Sequence, residues 1–507
     1  MKKSLKDKMT LHPLMTMLFL IFATILISGF LSLLGVQATY DKINPDMLEY
    51  SPETVSIESL LSLRGLKYIF TSTLSNFASF VPLSSLIILL IGIGVMEKSG
   101  FLKTTITLLT KKAKKTSITF AVVLISIIAS IIGDLSFVIL IPLSALLFFY
   151  GKRNPQIGIV ASFAGLTCGQ GLSLALTSID STMLNTTLLG AHMLDKEYTM
   201  GTFSFIIIMF IAIVLLSLLI TKITETKIVK MLPKYEFPKT ELEEDIAIGK
   251  KELKGLIIGI GAGILYLLIF IYNIIPGLPL SGKLLDYSQN FYIDKLFSYD
   301  SFFSNGFVFI VTMLFVILGL FYGIGAKTIR NNKDFCDDLG HSLDGIGNTL
   351  VLIFFASVVI NVFKKSNIGM YVVTGLTSFI GKVNFSALPL ILLLFFVAII
   401  STIFVPSSIT RWQITGGVAV PVLMNVGLSP EFAQVVYRFG ESVAFGLTPI
   451  FAYFVIYLAY MEKYNQNKKP INLFRTIKYQ LPYSLASMAL YLVLIIVWYI
   501  TGLPVGF

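Results

Sequence analysis

Long apolar runs without a single charge recur along this chain, and they limit its architecture before any motif is considered. Met9 to Tyr40 is the first of them, and the last ends in GLPVGF at the C-terminus. An α-helix of about 20 apolar residues crosses the hydrocarbon core of a bilayer with its backbone bonds satisfied internally. The 507 residues accommodate on the order of ten such passes. Composition agrees, with 55% hydrophobic and 13% charged residues and a mean hydropathy of +0.84, where soluble domains carry about 25% charged residues. So few charges cannot clothe a water-exposed surface. A soluble enzyme, a disordered chain and a disulfide scaffold are thereby excluded.

The net charge of +11 does not point to nucleic acid, because the lysines cluster between the apolar runs, where the positive-inside rule places them. Cys168 and Cys336 are too few for a disulfide framework. His12, His192 and His341 are scattered without metal-ligand spacing. No cofactor is expected, and the expected surroundings are a lipid bilayer.

Basic MKKSLKDK precedes the first run, whose apolar core from Leu14 to Leu34 exceeds the 7–15 residues typical of a signal-peptide core. It reads as a retained helix leaving the cytoplasm, followed by an acidic outer loop that includes Asp41, Asp46, Glu49, Glu53 and Glu58. The run Phe80 to Met96 then returns to the lysines at 98, 103, 111, 112, 114 and 115, the strongest inside marker. Two short apolar pieces, Thr116 to Gly133 and Leu135 to Gly151, follow, and Lys152 and Arg153 close them on the same side. The Gly133-Asp134 turn between them predicts a re-entrant hairpin near 116–151. The next run carries GLTCGQGLSLALTSID, and several glycines in one apolar helix predict a break, placed across 157–180 with Gly169 and Gly171 within it. Residues 1–225 thus form a first membrane half, 226–253 a cytoplasmic loop and 254–507 a second half.

The second half repeats the pattern. After spans near Gly255 to Ile275 and Ser301 to Ala326, the pieces Gly345 to Phe363 and Ser366 to Gly381 flank Lys364-Lys365, and a hairpin is expected near 390–427. In the first half, Gly133-Asp134 leads into VILIPL with Pro142 and then into the broken run with Asp180. In the second, Ser407-Ser408 leads into GGVAVPVL with Pro421 and then into a broken helix over 430–458 that holds Gly440, Glu441 and Pro449. Paired Gly/Pro-interrupted segments in corresponding halves point to a secondary transporter with inverted repeats and a midplane site. The fold class is an all-α polytopic integral membrane protein with about nine transmembrane helices and two re-entrant helical hairpins.

Charge inside such segments is expensive, about 2.5 to 3.5 kcal/mol at a helix centre, so the charged residues there are the functional candidates. Arg438 and Glu441 are three apart and share a helix face, so they can pair, functionally or as a neutral structural couple. Gly440 between them favours local unwinding. Asp180 has no cation adjacent in sequence and is the better proton carrier; its plain alternative is a residue just past a helix end. Asp134 at a hairpin tip suits an N-cap of the following half-helix. Arg411 could counter an anionic substrate or snorkel to headgroups. Trp412 could stack on an aromatic substrate or belong to the interfacial belt. Ser407 and Ser408 at the second turn complete the candidate substrate site.

At these residues the sequence resembles the AbgT family of p-aminobenzoyl-glutamate transporters. The stretches that carry the resemblance include GIGVMEKSGFL from 92 to 102, GDLSFVILIPLSALLF, the GKRNPQ to TSID run, SNIG at 366–369, RWQITGGVAVPVLMNVGLSPEFAQVVYRFGES and TPIFAYF. The resemblance implies a homodimer of subunits with nine spans and two hairpins, N-terminus inside and C-terminus outside, in the cell membrane. It also implies transport of p-aminobenzoyl-glutamate or proton-coupled export of sulfonamide-type drugs. Family motif residues fall on Asp180, Trp412, Pro421, Arg438 and Glu441, and Asn367 within SNIG joins the substrate-binding candidates. The chain departs from the family pattern at Glu441, usually Asp, at Ile409 to Trp412, usually SAKW, at Ala444-Phe445, usually Thr-Asn, and at Val358, usually Gln. Apolar groups there replace donors and acceptors for an aromatic amide, a change that shifts selectivity.

The expected function is secondary active transport of a small organic anion, p-aminobenzoyl-glutamate or a related aromatic amide, coupled to protons through Asp180 and Glu441. Half-helix N-termini with Arg411 and Arg438 would hold its carboxylates. A sodium-coupled carboxylate or amino-acid carrier is the alternative, with Ser407, Ser408 and Thr448 as cation ligands. A lipid-linked transferase would need a nucleophile and base set that the sequence does not display.

Overall fold

A computed structural model describes residues 11–44, 48–173, 177–201, 203–238, 248–289, 292–298, 300–467 and 469–507. The MKKSLKDK segment, Asp46, Lys468, residues 174–176 of the glycine-rich run and residues 239–247 of the polar loop lie outside them.

Helix α1 (Pro13–Leu33) starts with proline at its first position, where the missing N–H would have had no helical partner. A hairpin of β1 (Gln37–Asn44) and β2 (Glu49–Ser56), paired antiparallel with Gln37 opposite Ser56, adds a small sheet to the helical plan. Tyr40 and Ile43 turn inward from it, Tyr40 onto Val373 and Ile414. Where a loop was expected, α2 (Leu63–Ala78) follows, capped by the Ser62 hydroxyl, and runs almost directly into α3 (Val81–Lys98). The first half continues through α4 (Phe101–Thr110), α5 (Lys115–Ile128), α6 (Leu135–Tyr150), α7 (Pro155–Cys168), α8 (Ser178–His192) and α9 (Ile206–Ile223). A π-helical turn, Thr224–Ile228, extends α9.

The second half contains α10 (Lys250–Ile274), α11 (Tyr292–Phe297), α12 (Phe302–Ala326), α13 (Asn332–Gly340), α14 (Gly347–Lys365) and α15 (Ile368–Lys382). It ends with α16 (Ala387–Phe404), α17 (Ser408–Met424), α18 (Pro430–Ala444), α19 (Phe454–Lys463) and α20 (Leu473–Thr501). Among the described residues, nine helices are long and apolar enough to cross a membrane. With no hydrophobic drive between helices in lipid, close backbone packing holds such bundles together. Gly255, Gly259 and Gly263 therefore line one face of α10, where α12 approaches so closely that a Cβ on Gly259 would lie 2.9 Å from the Leu318 carbonyl oxygen.

Helices α5 and α6 diverge from the corner at Gly133, whose φ of +65° suits only glycine. Helix α7 packs against both arms, with Ser126 and Ser162 hydroxyls 3.1 Å apart on one side and Gly158 against the Ser144 carbonyl on the other. At the open end the Arg153 guanidinium donates to the Lys115 carbonyl at 2.9 Å, to Thr119 Oγ1 at 2.8 Å and to Glu225 at 2.8 Å. The chain thus returns to the level from which the pair began, and Asp134 lies at the far corner. In the second half α16 and α17 meet at 405–407, and α18 packs on both. Helix α8 of the first half seats Gly190 against Gly416 and Val420 of α17, while α19 of the second half packs on α6 and α7.

Three expected breaks are not breaks. Pro142 and Pro421 lie inside unbroken α6 and α17; interior prolines are tolerated in membrane helices because neighbouring groups satisfy the freed carbonyl. Gly440 lies inside unbroken α18, where it serves packing: an added Cβ would stand 2.5 Å from the Phe395 carbonyl oxygen. The interruptions fall instead between Cys168 and Ser178, with Gly169 and Gly171 at their start, and between Ala444 and Phe454, through a 3-10 turn (Phe445–Leu447) and Pro449.

Candidate functional site

Both interruptions point at one buried chain of charges. Thr177 caps α8 in a reciprocal capping box: its hydroxyl accepts from the Asp180 N–H at 3.1 Å, and Asp180 Oδ2 accepts from the Thr177 N–H at 3.2 Å. That oxygen also accepts from the Thr177 and Ser173 hydroxyls, each at 2.7 Å. A carboxylate at a helix N-terminus is favoured by the dipole as well. The other oxygen of Asp180 faces Arg438 Nε at 3.2 Å. Asp180 therefore does have a cation beside it; the partner comes from α18 across the fold and is invisible in local sequence.

Arg438 continues the chain. It pairs with Glu441 one turn on, as the spacing predicts, and donates to the Gln170 carbonyl oxygen at 2.9 Å. Glu441 is shared, because Arg411 of α17 donates to its second oxygen at 2.8 Å and to the Tyr437 hydroxyl at 3.2 Å. Two acids and two guanidiniums alternate, Asp180–Arg438–Glu441–Arg411, with no member more than 2% exposed. The formal charge sums to zero. That balance and the added hydrogen bonds allow such groups to be buried at all. Arg411 is accordingly not a snorkelling residue, since its head is enclosed in protein.

Trp412 is also enclosed, which removes the interfacial-belt reading. Its indole N–H donates to Thr187 Oγ1 at 2.9 Å, Thr187 lies 2.6 Å from Gln434 Oε1, and the ring packs on Tyr437 at a centroid distance of 4.6 Å. In this conformation its face is covered by the protein's own tyrosine.

A cavity of about 730 Å³ lies where the two corners converge, within the 300–1,000 Å³ range of small-molecule sites. Asp134 reaches it from the first corner and Pro406 and Ser407 from the second; Ile450 to Ala452 contribute the second interruption, and Asn367 the α14–α15 elbow. Phe404 and Phe451 supply aromatic wall, and Lys364 and Lys365 supply positive charge. Asp134 occupies the N-cap position of α6 without making a capping bond. Its carboxylate instead accepts from Gln170 Nε2 at 3.1 Å. Gln170 thereby joins cavity to ion chain, its side chain on Asp134 and its carbonyl on Arg438. Ser407 caps α17 through the Thr410 N–H and lies 2.9 Å from the Thr410 hydroxyl, while Ser408 is buried behind it. Asn367, at a left-handed φ of +59°, donates to the Ser56 carbonyl at 3.3 Å.

The sequence-selected residues therefore divide into two groups. Asp134, Asn367 and Ser407 line the cavity; Asp180, Arg411, Trp412, Arg438 and Glu441 lie in the sealed layer outside its lining. Gln170, Thr187, Tyr437 and the two lysines complete the picture. Of these only Gln170 carried a signal, as the polar residue inside CGQG, and the lysines read as topology markers.

This architecture defines a polytopic membrane protein whose interrupted helices enclose a neutral ion-pair chain beside a ligand-sized cavity. Residues 6–507 match the family described as "AbgT putative transporter family", and the chain belongs to it. It is 25% identical over 495 residues to the p-aminobenzoyl-glutamate transport protein of Escherichia coli K12, covering 98% of this chain and 93% of that one. Among solved structures it is similar to the Alcanivorax borkumensis YdaH transporter, with 26% identity, a TM-score of 0.48 and coverage of 98% of this chain and 100% of that chain. It is also similar to Neisseria gonorrhoeae MtrF, described with a class of antimetabolite efflux pumps, at 28% identity, a TM-score of 0.47 and coverage of 98% and 97%. The protein is a multi-pass membrane transporter of this family.

Proposed function

We propose that the protein moves small aromatic organic anions, of the p-aminobenzoyl-glutamate or sulfonamide-drug kind, across the cytoplasmic membrane by proton-coupled secondary transport. The observation that carries this reading is the cavity, which combines aromatic walls, amide and hydroxyl donors and lysine ammonium groups. An arylamide carboxylate presents the complementary set. Family membership and the name of the Escherichia coli relative support the same substrate class.

Coupling rests on the ion chain. A carboxylate loads a proton when its partner charge moves away and releases it when the partner returns. Asp180 of α8 faces a guanidinium carried by α18 of the other half, so relative movement of the halves would alter that pair directly and, through the shared Arg438, the surroundings of Glu441. The reciprocal packing of each half's broken helix on the other half's hairpin supports an inverted repeat that rocks about this site. Assembly as a homodimer with the N-terminus inside and the C-terminus outside belongs to the same proposal, supported by the family and the lysine distribution.

Reconstitution into proteoliposomes tests the reading. Flux of p-aminobenzoyl-glutamate should follow an imposed pH gradient and persist when choline replaces Na⁺. Asp180→Ala and Glu441→Ala should abolish coupled flux; undiminished coupled flux in both would remove the roles assigned to them.

A further inference from the structure

The arginines that sequence reasoning assigned to the substrate's carboxylates are already satisfied and sealed, so the negative end of an anion needs another partner. Among the described residues, the cations lining the cavity are Lys364 and Lys365. Lys365 is not idle: its ammonium stands 2.6 Å from Glu58 Oε2, with side chains 30% and 42% exposed, and 5.6 Å from the centroid of the Tyr68 ring. Glu58 and Tyr68 also line the cavity. We propose that Lys365 is the carboxylate subsite of the transport cavity and that Glu58 is its resident surrogate, displaced when an anionic substrate enters. The inference rests on the reading of the cavity as an aromatic-anion site.

Three features make the Glu58 side chain displaceable while its backbone stays in place. The Glu58 N–H donates to the Ser366 carbonyl at 3.1 Å, and Asn367 bonds the Ser56 carbonyl at 3.3 Å, so the segment leaving β2 is tied to the elbow by main-chain acceptors. The carboxylate itself reaches Lys365 through a solvated ion pair, and such pairs are weak and exchange readily. Tyr68 under the ammonium offers an aromatic face that favours the cation in place. A substrate carboxylate replaces like with like, so Lys365 is never left without an anion, and an uncharged arylamide gains nothing from the exchange. The cavity thereby selects for a free carboxylate without desolvating a lone lysine.

The test uses full-length protein in proteoliposomes, with p-aminobenzoyl-glutamate and uncharged p-aminobenzamide as probes of flux and of thermal stabilisation. Glu58→Gln should lower the half-saturation concentration for p-aminobenzoyl-glutamate about two- to fivefold, the size of a solvated pair. Lys365→Gln should raise it about tenfold or more, the size of a charged hydrogen bond, with Lys365→Arg restoring most of the affinity and p-aminobenzamide unmoved by any variant. Equal shifts for both probes, or no shift for the anion in a wild type that transports it, overturn the subsite and leave the proposed function standing. If the wild type binds benzoate or glutarate but not p-aminobenzoyl-glutamate, the substrate assignment falls and the same variants decide Lys365 with those anions. Absence of any carboxylate binding to wild type and Glu58→Gln overturns both.

Discussion

Arg411 and Glu441 meet at 2.8 Å with neither side chain exposed, and Arg438 holds the other oxygen of the same carboxylate. One carboxylate thus bridges two guanidiniums carried by α17 and α18. Removing it leaves two buried cations facing Asp180 alone. Breaking a buried pair in this way costs about 3–5 kcal/mol. Glu441→Ala is expected to lower the unfolding midpoint strongly in a detergent thermostability assay and to abolish transport. Glu441→Asp keeps the charge but shortens its reach, so it should retain much of the midpoint while slowing flux. A Glu441→Ala midpoint equal to wild type would show that the two arginines do not depend on this carboxylate.

Gly171 marks a close approach between the two halves. Its N–H donates to Ser442 Oγ at 2.8 Å, and a Cβ would stand 2.3 Å from the Arg438 carbonyl oxygen. The obstacle is helix backbone, which cannot swing aside. Gly171→Ala should therefore destabilise by about 1–3 kcal/mol, the usual range for overpacking, and reduce transport by moving Arg438 away from Asp180. Ser442→Ala, which removes only the hydrogen bond, should cost less. The two midpoints measured side by side decide whether contact distance or the hydrogen bond matters more.

Thr187 ties three elements together through one hydroxyl. It accepts from the Trp412 indole and stands 2.6 Å from Gln434 Oε1, which places α8, α17 and α18 around it. Valine has the same shape without the hydroxyl, so Thr187→Val leaves a buried indole N–H unpaired. The expected loss is about 1–3 kcal/mol, read from the unfolding midpoint, with Trp412 fluorescence reporting the altered surroundings. An unchanged midpoint and spectrum would mean that the indole finds another acceptor.

The membrane class and the approximate number of spans were legible because apolar length is a local property of the chain. The pairing of Arg438 with Glu441 was legible for the same reason, being one helical turn. The salt bridge to Asp180 was not, because its partner is distant in sequence and arrives only when the two halves interlock. Pro142, Pro421 and Gly440 misled for one shared cause: in a membrane helix proline and glycine serve packing as often as they end the helix. Lys364 and Lys365 had a sufficient explanation as topology signals, so nothing in the local pattern placed them at the cavity. The β1–β2 hairpin was masked by its polar composition, since only Tyr40 and Ile43 turn inward from β1.

Tyr198 provides a pH-dependent test away from the membrane-spanning helices. It lies in the connection between α8 and α9 and donates to both oxygens of Glu431, at 3.0 and 2.8 Å, tying that connection to the start of α18. Partial burial, then the hydrogen bond to the Glu431 carboxylate and its charge, raise the phenol well above its ordinary value. A folded-state pKa raised above the unfolded one contributes stability that is complete below the unfolded value, about 10 for tyrosine, and fades as pH rises towards the folded value. The midpoint difference between wild type and Tyr198→Phe should accordingly be constant between about pH 7 and 9 and shrink above about pH 10. Thermal unfolding of the two proteins across that range in one detergent measures it. A difference that grows with pH, or one already absent at pH 7, would show that the Tyr198–Glu431 contact does not hold the connection in place.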